Sequence, residues 1–374
     1  MTEDEKYMRR AIQLARCGEA GVGTNPMVGA VIVHGGRIIG EGYHRKYGGP
    51  HAEVHAVRNA FARTGAAMPD TGEAMPAHIR QLFGGSTLYV TLEPCSHWGK
   101  TPPCCDMIVR AGIGRVVIGM TDPNSKVNGE GIRRMKAAGI EVVTGTLEAE
   151  CRALNPCFTT FHTTTRPYIT LKWAQLQDGT MGICSGQERS SGADAKQATG
   201  AIQEPRLQVS TPFTQMLVHR MRARCQAIMV GTNTAVQDNP SLTTRLWRGN
   251  SPLRVTIDRH GRLSETSHLL RDSSETVVYH NEILTEILYD LHKRGIQHLI
   301  VEGGSKLLQS FIDANLWDRA RVEICSDARM TCMLQDDRKV VAPKLPHAAS
   351  TGEYVADGNK LLILLNSKHI AAHT

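Results

Sequence analysis

A histidine and two cysteines are spaced along the first third of this 374-residue chain as the ligands of a catalytic metal site would be. They are His51, Cys95 and Cys104, and three protein ligands leave the fourth position of a tetrahedral zinc open for water. Both metal segments stand at the starts of predicted helices, whose positive ends stabilise thiolates. Glu53 follows the histidine by two residues and is placed to carry protons without binding the metal. These residue types predict a hydrolytic Zn2+ centre.

The glutamate indicates what the centre does. His-x-Glu followed by Pro-Cys occurs in zinc deaminases of nucleobases, where the glutamate is the general acid and base. Zinc lowers the pKa of bound water towards about 7, and one carboxylate can pass the proton to the leaving nitrogen. We therefore predict that Glu53 is catalytic. Two other interpretations of Cys95 and Cys104 are open. They could belong to a structural zinc module with Cys105 as a further ligand, or they could be buried thiols that bind no metal. Eight residues separate Cys95 from Cys104, whereas structural pairs usually have two to four between them.

Helical and strand patterns alternate around these residues and predict a three-layer α/β domain over 1–147. The predicted elements are a helix over 4–17, strands at 28–33 and 37–40, a helix from His51, a strand at 87–92, a helix at 104–111, a strand at 115–119, a helix at 131–138 and a strand at 140–143. The Gly-, Pro- and Ala-rich segment 65–85 predicts a surface insertion with a short helix at 77–83. Residues 148–166 predict a connecting helix and linker.

The rest of the chain, 167–374, predicts a second α/β domain. Strand patterns occupy 168–173, 227–230, 253–257, 276–279 and 298–301, and helical patterns occupy 213–224, 283–293 and 306–314. Gly303 and Gly304 follow a strand and precede a helix, where glycines let the backbone approach a pyrophosphate. Thr232 and Thr234 are candidates for further cofactor contacts.

Composition narrows the possible partners and location. The net charge is +7, but its densest basic clusters, 133–136 and 219–224, lie in helical patterns that usually form solvated faces. We therefore expect no nucleic-acid partner. No apolar run approaches the ~20 residues that cross a bilayer, so we expect no membrane association. Ten cysteines without a secretory signal are typical of reduced thiols and metal ligands, which predicts a cytoplasmic protein.

The long-spaced zinc segment from Pro94 to Cys105 resembles that of the bifunctional riboflavin-biosynthesis deaminase/reductase family. Other zinc deaminases usually have two residues between their cysteines. Segments 25–29, 42–44 and 121–124 and the whole second domain agree with the same family. The resemblance implies a cytidine-deaminase-like N-terminal domain and a dihydrofolate-reductase-like C-terminal domain that uses NADPH.

The resemblance also implies the reactions and the residues of the first pocket. A diaminopyrimidine ribosyl phosphate would lose its pyrimidine amino group, and its ribosyl group would then be reduced to ribityl. The residues implied to bind this substrate are Asn25, His44, His97, Lys100, Asp122 and Asn124. Lys100 offers a cation to the ribose phosphate, and the Asn25 amide can hydrogen-bond a base edge.

In the second domain the resemblance implies that Lys172, Asp238 and Glu302 surround the sugar and assist proton transfer. The further substrate residues are Arg222, Leu242 and Arg245, and the cofactor residues are Ala174, Thr234, Asp238, Arg259, Gly303, Gly304 and Ser305. Arg259 would hold the cofactor's additional phosphate through a bidentate pair. Without the resemblance, Lys172 is equally well a strand-edge charge and Asp238 an Asx turn.

The chain departs from the family pattern mainly in this domain. Leu176 stands where the family usually has a small hydroxyl residue, and Gln208 stands where it has a tryptophan. Residues 184–209 contain an insertion, and 325–338 lack a glycine-rich turn. These differences bear on how the reductase holds its substrate and cofactor.

Two alternatives therefore stay open beside the bifunctional enzyme. One is a nucleotide or RNA zinc deaminase with a decayed or unrelated C-terminal domain, and the other is a zinc-stabilised binding module without activity. For the bifunctional enzyme we expect a small phosphorylated pyrimidine as substrate and a homo-oligomeric assembly.

Overall fold

The computed structural model describes residues 1–65, 68–69, 73–98, 102–124, 129–183, 208–326 and 339–370. The chain divides into two compact units, Met1–Thr165 and Arg166–Thr374. Among the described residues, no helix combines the length and the apolar character that crossing a bilayer requires.

Twelve elements of the first unit alternate largely as the sequence predicts. They are α1 (Glu3–Arg16), β1 (Gly29–His34), β2 (Arg37–Tyr43), α2 (Ala52–Thr64), α3 (Ala77–Gly84), β3 (Ser86–Leu92), α4 (Cys104–Ala111), β4 (Arg115–Met120), α5 (Glu130–Ala137), β5 (Glu141–Thr144), α6 (Glu148–Leu154) and α7 (Pro156–Thr163). Their sheet has the order β2-β1-β3-β4-β5, with β3, β4 and β5 parallel and β1 antiparallel to both of its neighbours.

Helices cover both faces of this sheet, so the predicted three-layer arrangement is confirmed. One apolar cluster joins α2, α3, α4 and α5 to Ala30, Ile32, Leu88 and Val90 on one face. A second cluster joins α1 and α6 to Val31, Val33 and Tyr89 on the other face. Neighbouring strand residues thus alternate between the two cores, as the pleat of a strand requires.

Glycines allow α2 to lie directly on β2. A Cβ atom at Gly40 would stand 2.3 Å from the Ala56 carbonyl oxygen, and one at Gly42 would stand 2.4 Å from the Ala52 carbonyl oxygen. Only glycine fits this close an approach of two backbones. The contact fixes the helix that begins directly after His51.

Two predictions for this unit need correction. The segment 65–85 is not only a surface insertion, because Ile79 and Phe83 of α3 are buried in the core beneath the sheet. Cys151 and Leu154 of α6 are likewise buried against α1 and the strands. The helix predicted as a connector therefore packs as part of the first unit, and α7, which was not predicted, follows it.

The second unit contains the predicted strands and several that were not predicted. Its elements are β6 (Tyr168–Gln175), β7 (Thr180–Ile183), α8 (Pro212–Arg222), β8 (Ala227–Val230), α9 (Thr232–Asp238), β9 (Leu253–Ile257), α10 (His268–Arg271), β10 (Thr276–Tyr279), α11 (Leu284–Lys293), β11 (His298–Glu302), α12 (Ser305–Asp313), β12 (Arg319–Ile324), β13 (Lys339–Val341), β14 (Ala348–Ala356), β15 (Asn359–Asn366) and α13 (Ser367–Ile370). The short helices α9, α10 and α13 and strands β7, β12, β13, β14 and β15 were not predicted.

Eight strands form one sheet in the order β10-β9-β8-β11-β6-β12-β15-β14, and β13 pairs separately with β7. From β10 to β12 neighbouring strands are parallel, whereas β15 and β14 are added antiparallel. The larger core lies between the sheet and helices α11 and α12. The opposite face carries a smaller apolar cluster and a row of polar side chains, which include Lys172 and Glu302. The insertion at 184–207 and the segment 327–338 lie outside the described residues.

Candidate active sites

His51, Cys95 and Cys104 bring one ligand atom each to a common point in the first unit. These atoms all lie within 4.8 Å of one another. The Nδ1 atom of His51 is 3.5 Å from the Cys95 sulfur and 3.3 Å from the Cys104 sulfur. With bonds of about 2.3 Å to sulfur and 2.0 Å to nitrogen, tetrahedral zinc would separate a sulfur and a nitrogen by about 3.5 Å. The three side chains therefore fit zinc in both chemistry and spacing.

Local backbone structure places these ligands. His51 is the extended N-cap residue of α2, and Cys104 is the first residue of α4. The backbone N–H of Cys104 donates a hydrogen bond to the Cys95 sulfur over 3.3 Å. Hydrogen bonds from the Cys104 thiol and from His51 lower the pKa of Cys95, which favours the thiolate that zinc binds.

Glu53 lies beside the ligands in the interior. Its side chain is only 3% exposed, and its carboxyl group is hydrogen-bonded to the Cys104 thiol. Burial raises the pKa of Glu53 above its ordinary value. A carboxyl group with a raised pKa holds a proton more readily than an ordinary carboxylate does, which suits a general acid and base.

A cavity of about 250 Å³ opens onto these residues. It is lined by Asn25, Pro26, Val28, His44, His51, Glu53, Leu92, Glu93, Cys95, His97, Asp122, Asn124 and Phe158. Every predicted substrate residue of the first domain that the structure describes is therefore in this lining. Lys100 lies outside the described residues.

The hydrogen bonds of His44 define how Asn25 is presented. His44 is buried, and burial lowers its pKa, so the ring is neutral. One ring nitrogen, Nδ1, lies 3.1 Å from the Pro50 carbonyl oxygen, which can only accept, so Nδ1 carries the proton. The other nitrogen, Nε2, then accepts from the Asn25 amide over 3.1 Å. This leaves the Asn25 carbonyl oxygen to accept a hydrogen bond from a ring amino group.

Asp122 forms a second polar wall of the cavity. Burial raises its pKa to about 6, although the backbone N–H of Asn124 donates to its carboxylate over 2.8 Å. The group can therefore change protonation near the neutral range. A carboxyl group with a shifted pKa in the lining of a cleft is typical of a functional site.

Glu93 holds the loop that carries Asp122, and the sequence patterns did not single it out. Its side chain is 3% exposed and accepts hydrogen bonds from the backbone N–H groups of Asp122, Gly129 and Ile132 over 3.2, 3.1 and 3.4 Å. The last two donors belong to the beginning of α5. A buried carboxylate with several backbone donors fixes a loop strongly. The only sequence signal was its position directly after a strand and before Pro94.

Asn155 performs a similar task for the Asn25 loop. Its side chain accepts from the Met27 N–H over 2.7 Å and donates to the Met27 carbonyl over 2.9 Å. It lies at the junction of α6 and α7, and Phe158 of α7 lines the cavity. The connecting segment thus helps to shape the pocket, which no local pattern indicated.

In the second unit, parallel pairing places Glu302 of β11 directly opposite Lys172 of β6. Arg222 of α8 donates to both oxygens of Glu302, over 3.3 and 2.8 Å. Burial raises the pKa of Glu302, but Arg222 and Lys172 outweigh it and hold that pKa below its usual value. The carboxylate therefore stays ionised between two cations. The Arg222 guanidinium also donates to the Thr243 carbonyl over 3.3 Å, so a substrate phosphate would share it with these acceptors.

His219 links α8 to the loop that carries Arg245, and it too escaped the sequence patterns. Its Nδ1 atom accepts the backbone N–H of Arg245 over 2.8 Å. Burial, followed by the charges of Arg222 and Arg245, lowers the pKa of His219 to about 4, so the ring remains a neutral acceptor. The Arg245 side chain is exposed, as a residue that meets a ligand phosphate should be.

Gly303 and Gly304 form a left-handed turn between β11 and α12 that packs against Thr234. Both have left-handed backbones, and a Cβ atom on either would stand 3.1 to 3.2 Å from the Thr234 side chain. Gly304 is the N-cap of α12 and has no side-chain cap, so the first N–H groups of the helix are available to phosphate oxygens. The Ser305 hydroxyl, in contrast, donates to the Val341 carbonyl over 2.6 Å.

The remaining predicted residues of the second unit occupy different environments. Ala174 is half-buried on the same face of β6 as Lys172, while Arg259 and Asp238 are exposed at the ends of β9 and α9. The Leu242 side chain is 3% exposed and packs in the small apolar cluster. Its backbone is left-handed at φ 54°, so a substrate would meet its main chain rather than its side chain.

Family models match both units. The cytidine and deoxycytidylate deaminase zinc-binding region matches residues 1–120, and the RibD C-terminal domain matches residues 167–326. The riboflavin biosynthesis protein RibD of Aquifex aeolicus is 36% identical over 344 residues, which are 86% of each chain. That of Escherichia coli is 33% identical over 373 residues, which are 89% of this chain and 91% of the relative.

Solved structures agree over nearly the whole length. RibD of Acinetobacter baumannii gives a TM-score of 0.76 at 28% identity and covers 97% of this chain and 98% of its own. A diaminohydroxyphosphoribosylaminopyrimidine deaminase/5-amino-6-(5-phosphoribosylamino)uracil reductase from Thermotoga maritima gives 0.69 at 34% identity, with 97% and 99% covered. The similarity therefore includes both units in the same order.

Proposed function

The chain belongs to the RibD family of riboflavin-biosynthesis proteins, and from that premise we propose which of its residues carry each of the two activities. It is a bifunctional enzyme, with a zinc-dependent deaminase domain and an NADPH-dependent reductase domain. We assign deamination to residues 1–147 and reduction to residues 167–374. The substrate we propose is the diaminopyrimidine ribosyl phosphate that the name of the Thermotoga maritima relative describes.

For the first activity we assign His51, Cys95 and Cys104 to the metal and Glu53 to proton transfer. Zinc, when bound, acts as a Lewis acid that makes a water molecule acidic. Glu53 would take a proton from the attacking water, whose oxygen bonds to the ring carbon that carries the amino group. It would pass this proton to the amino nitrogen, which leaves as ammonia when its bond to the ring carbon breaks. Burial excludes bulk water from Glu53 and lets its proton move only within the site. The observation that supports this assignment most directly is the contact between the buried Glu53 carboxyl and the Cys104 thiol.

Substrate recognition is proposed for the polar lining of the same cavity. Asn25 is held by His44 with its carbonyl oxygen available to an amino group. Asp122 and Asn124 face the base from the loop that Glu93 fixes, and His97 faces it from the segment between the two cysteine ligands. Lys100 belongs to the same segment, and we propose it as the cation for the ribose phosphate.

For the second activity we assign the row of charges in the reductase unit. NADPH, when bound, would supply a hydride to the anomeric carbon, and we propose that the N-terminus of α12, at Gly303 and Gly304, offers N–H groups to its phosphates. We assign Lys172 to protonation of the ring oxygen that is released. Glu302, kept ionised by Arg222, orients the sugar hydroxyls, with Asp238 at the neighbouring loop. Arg245 binds the substrate phosphate, and Arg259 binds the additional phosphate of NADPH.

One experiment with the full chain tests both assignments. The zinc-loaded protein is incubated with the diaminopyrimidine ribosyl phosphate, and ammonia release and NADPH absorbance are followed together. We expect ammonia without NADPH, and NADPH oxidation only after deamination. Supplying the deaminated compound directly should remove the dependence of NADPH oxidation on zinc.

Other outcomes would select the alternatives. Ammonia from cytosine nucleotides or transfer RNA, and none from the proposed substrate, would indicate a different deaminase. Ammonia without any NADPH oxidation would contradict the reductase assignment. Neither product would be expected from a binding module.

We also propose a homo-oligomer located in the cytoplasm. The sheet of the second unit ends at β14, an edge strand on which Tyr354 and Val355 are 46% and 73% exposed. Exposed apolar side chains on an unpaired edge favour pairing with another chain. Sedimentation at a mass above 41.0 kDa would support the assembly, and a monomer at all concentrations would contradict it.

A further inference from the structure

Strand β12 buries two charged side chains inside the reductase unit. Arg321 is 2% exposed and Glu323 is 0% exposed. Ala320, which precedes Arg321, and Val322, which lies between Arg321 and Glu323, belong to the large apolar core. Because side chains alternate along a strand, Arg321 and Glu323 lie on the opposite face, which also carries Lys172.

The strand register places Arg321 next to the proposed proton donor. Glu302 of β11 is paired with Lys172 of β6, and Lys172 is paired with Arg321 of β12. Directly paired residues on neighbouring strands share a face and lie close together. The three side chains therefore form one row across the sheet, with Lys172 in the middle.

Hydrogen bonding does not account for the Arg321 charge. Among the described residues, neither of its terminal nitrogens has a hydrogen-bond partner, although both are buried. The nearest carboxylate oxygen in the described part of the chain belongs to Glu323, at 3.9 Å. Glu323 instead accepts hydrogen bonds from Ser210 over 2.9 Å and Asn359 over 2.8 Å. A buried guanidinium with so little compensation destabilises the fold, and an apolar residue would serve the fold better.

We propose that Arg321 is a positioning residue of the reductase, which acts through its positive charge on Lys172. The inference rests on the proposed role of Lys172 in protonating the sugar oxygen. Its consequence is a lysine that releases its proton more readily than an ordinary lysine would.

The groups around Lys172 shift its pKa in opposite directions. Burial lowers the pKa of Lys172 most, Glu302 raises it, and Arg321 of β12 and Arg222 of α8 lower it. Glu323, one pair further along β12, raises it. The net effect is a pKa below that of an ordinary lysine. Arg321 is the cation directly paired with Lys172 in the sheet, so its removal should change the pKa of Lys172 more than removal of Arg222 would.

This effect suits the chemistry of ring opening. A hydride from bound NADPH would form a C–H bond at the anomeric carbon as the bond from that carbon to the ring oxygen breaks. The electron pair of the broken bond stays on the oxygen, which takes a proton from the Lys172 ammonium group. Solvent then returns a proton to the neutral amine. An acid with a pKa closer to the working pH transfers its proton more effectively.

The test is the pH dependence of kcat/KM for NADPH oxidation with the deaminated substrate, measured from neutral to alkaline pH. The activity should fall in alkali as Lys172 loses its proton. Arg321→Met should move this fall to higher pH, whereas Glu323→Gln should move it to lower pH. Arg321→Lys should restore the wild-type position, and Arg271→Met, at an exposed arginine of α10, should not change it.

The pH profiles of Arg321→Met and Glu323→Gln should shift in opposite directions, which distinguishes an electrostatic role from a structural one. Damage to the fold would lower the activity of both variants without moving their pH profiles apart. NADPH binding and the thermal melting temperature show that each variant is folded. If Arg321→Met fails to fold, the pH profiles of Glu323→Gln and Arg321→Lys still test whether charges on β12 shift the alkaline fall in activity. If the wild-type fall disappears in Lys172→Met while the Arg321 and Glu323 variants leave it unmoved, this inference is wrong and the proposed function stands. If Lys172→Met keeps the wild-type profile, the proposed role of Lys172 fails, and the inference fails with it.

Discussion

Replacing Glu53 with glutamine should abolish ammonia release while the protein keeps its zinc. Glutamine has nearly the same shape as glutamate, but it cannot take a proton from the attacking water or return one to the leaving nitrogen. General acid–base catalysis contributes about 10²–10⁴-fold to a rate, so we expect a loss of that size. Ammonia release and the zinc content of the purified variant are the two measurements.

A glutamate outside the site provides the control. Glu150→Gln changes an exposed side chain whose ion pair with Arg9 spans 3.5 Å, and such surface pairs contribute little. This variant should deaminate at the wild-type rate. Full deamination by Glu53→Gln would show that another group moves the proton, and loss of zinc would show that Glu53 helps to hold the metal.

Replacing Cys104 with alanine should remove both zinc and deamination. Only His51 and Cys95 would remain as ligands. The backbone N–H of residue 104 could still donate to the Cys95 sulfur, but the Cys104 thiolate would be gone. We expect zinc content near zero and ammonia release at background. NADPH oxidation with supplied deaminated substrate should persist, because the reductase residues lie in the other compact unit.

The neighbouring cysteine is a matched control for this variant. Cys105 is also buried at the start of α4, but its thiol donates to Asp106 and lies outside the three-ligand cluster. Burial, with the nearby Asp106 carboxylate, raises the pKa of Cys105 to about 12, which disfavours the thiolate a metal needs. Cys105→Ala should therefore keep its zinc. Loss of zinc in this variant, or its retention in Cys104→Ala, would mean that the ligand set is different.

Much of the deaminase site could be predicted before the fold was known. Metal ligands must be particular residue types, and the order His51, Cys95, Cys104 with Glu53 restricts the chemistry strongly. The eight residues between the cysteines led to the specific family, and His97, one of them, lines the cavity. Most core strands were also predictable, because a buried strand has a short and continuous apolar run.

The supporting residues were not predictable because their partners are distant in sequence. Glu93 accepts from residues 29 to 39 positions later, and Asn155 holds Met27 from 128 positions away. Each looks like an ordinary loop residue until the chain has folded. The same reason explains α3, whose buried side chains were hidden in a segment of loop-like composition.

Strand β12 shows most clearly which properties the sequence determines and which only the tertiary structure determines. The residue types and spacings of the sequence by themselves determined the zinc chemistry, the two α/β domains and the family. The alternation of Arg319–Ile324, in contrast, is equally typical of a strand with one face in water. Only the tertiary structure decided otherwise, because β15 pairs with β12 from a segment about 40 residues later and buries Arg321 and Glu323 beside Lys172. Local periodicity specifies which side chains share a face, whereas long-range packing decides whether that face meets water, a core or a reacting group.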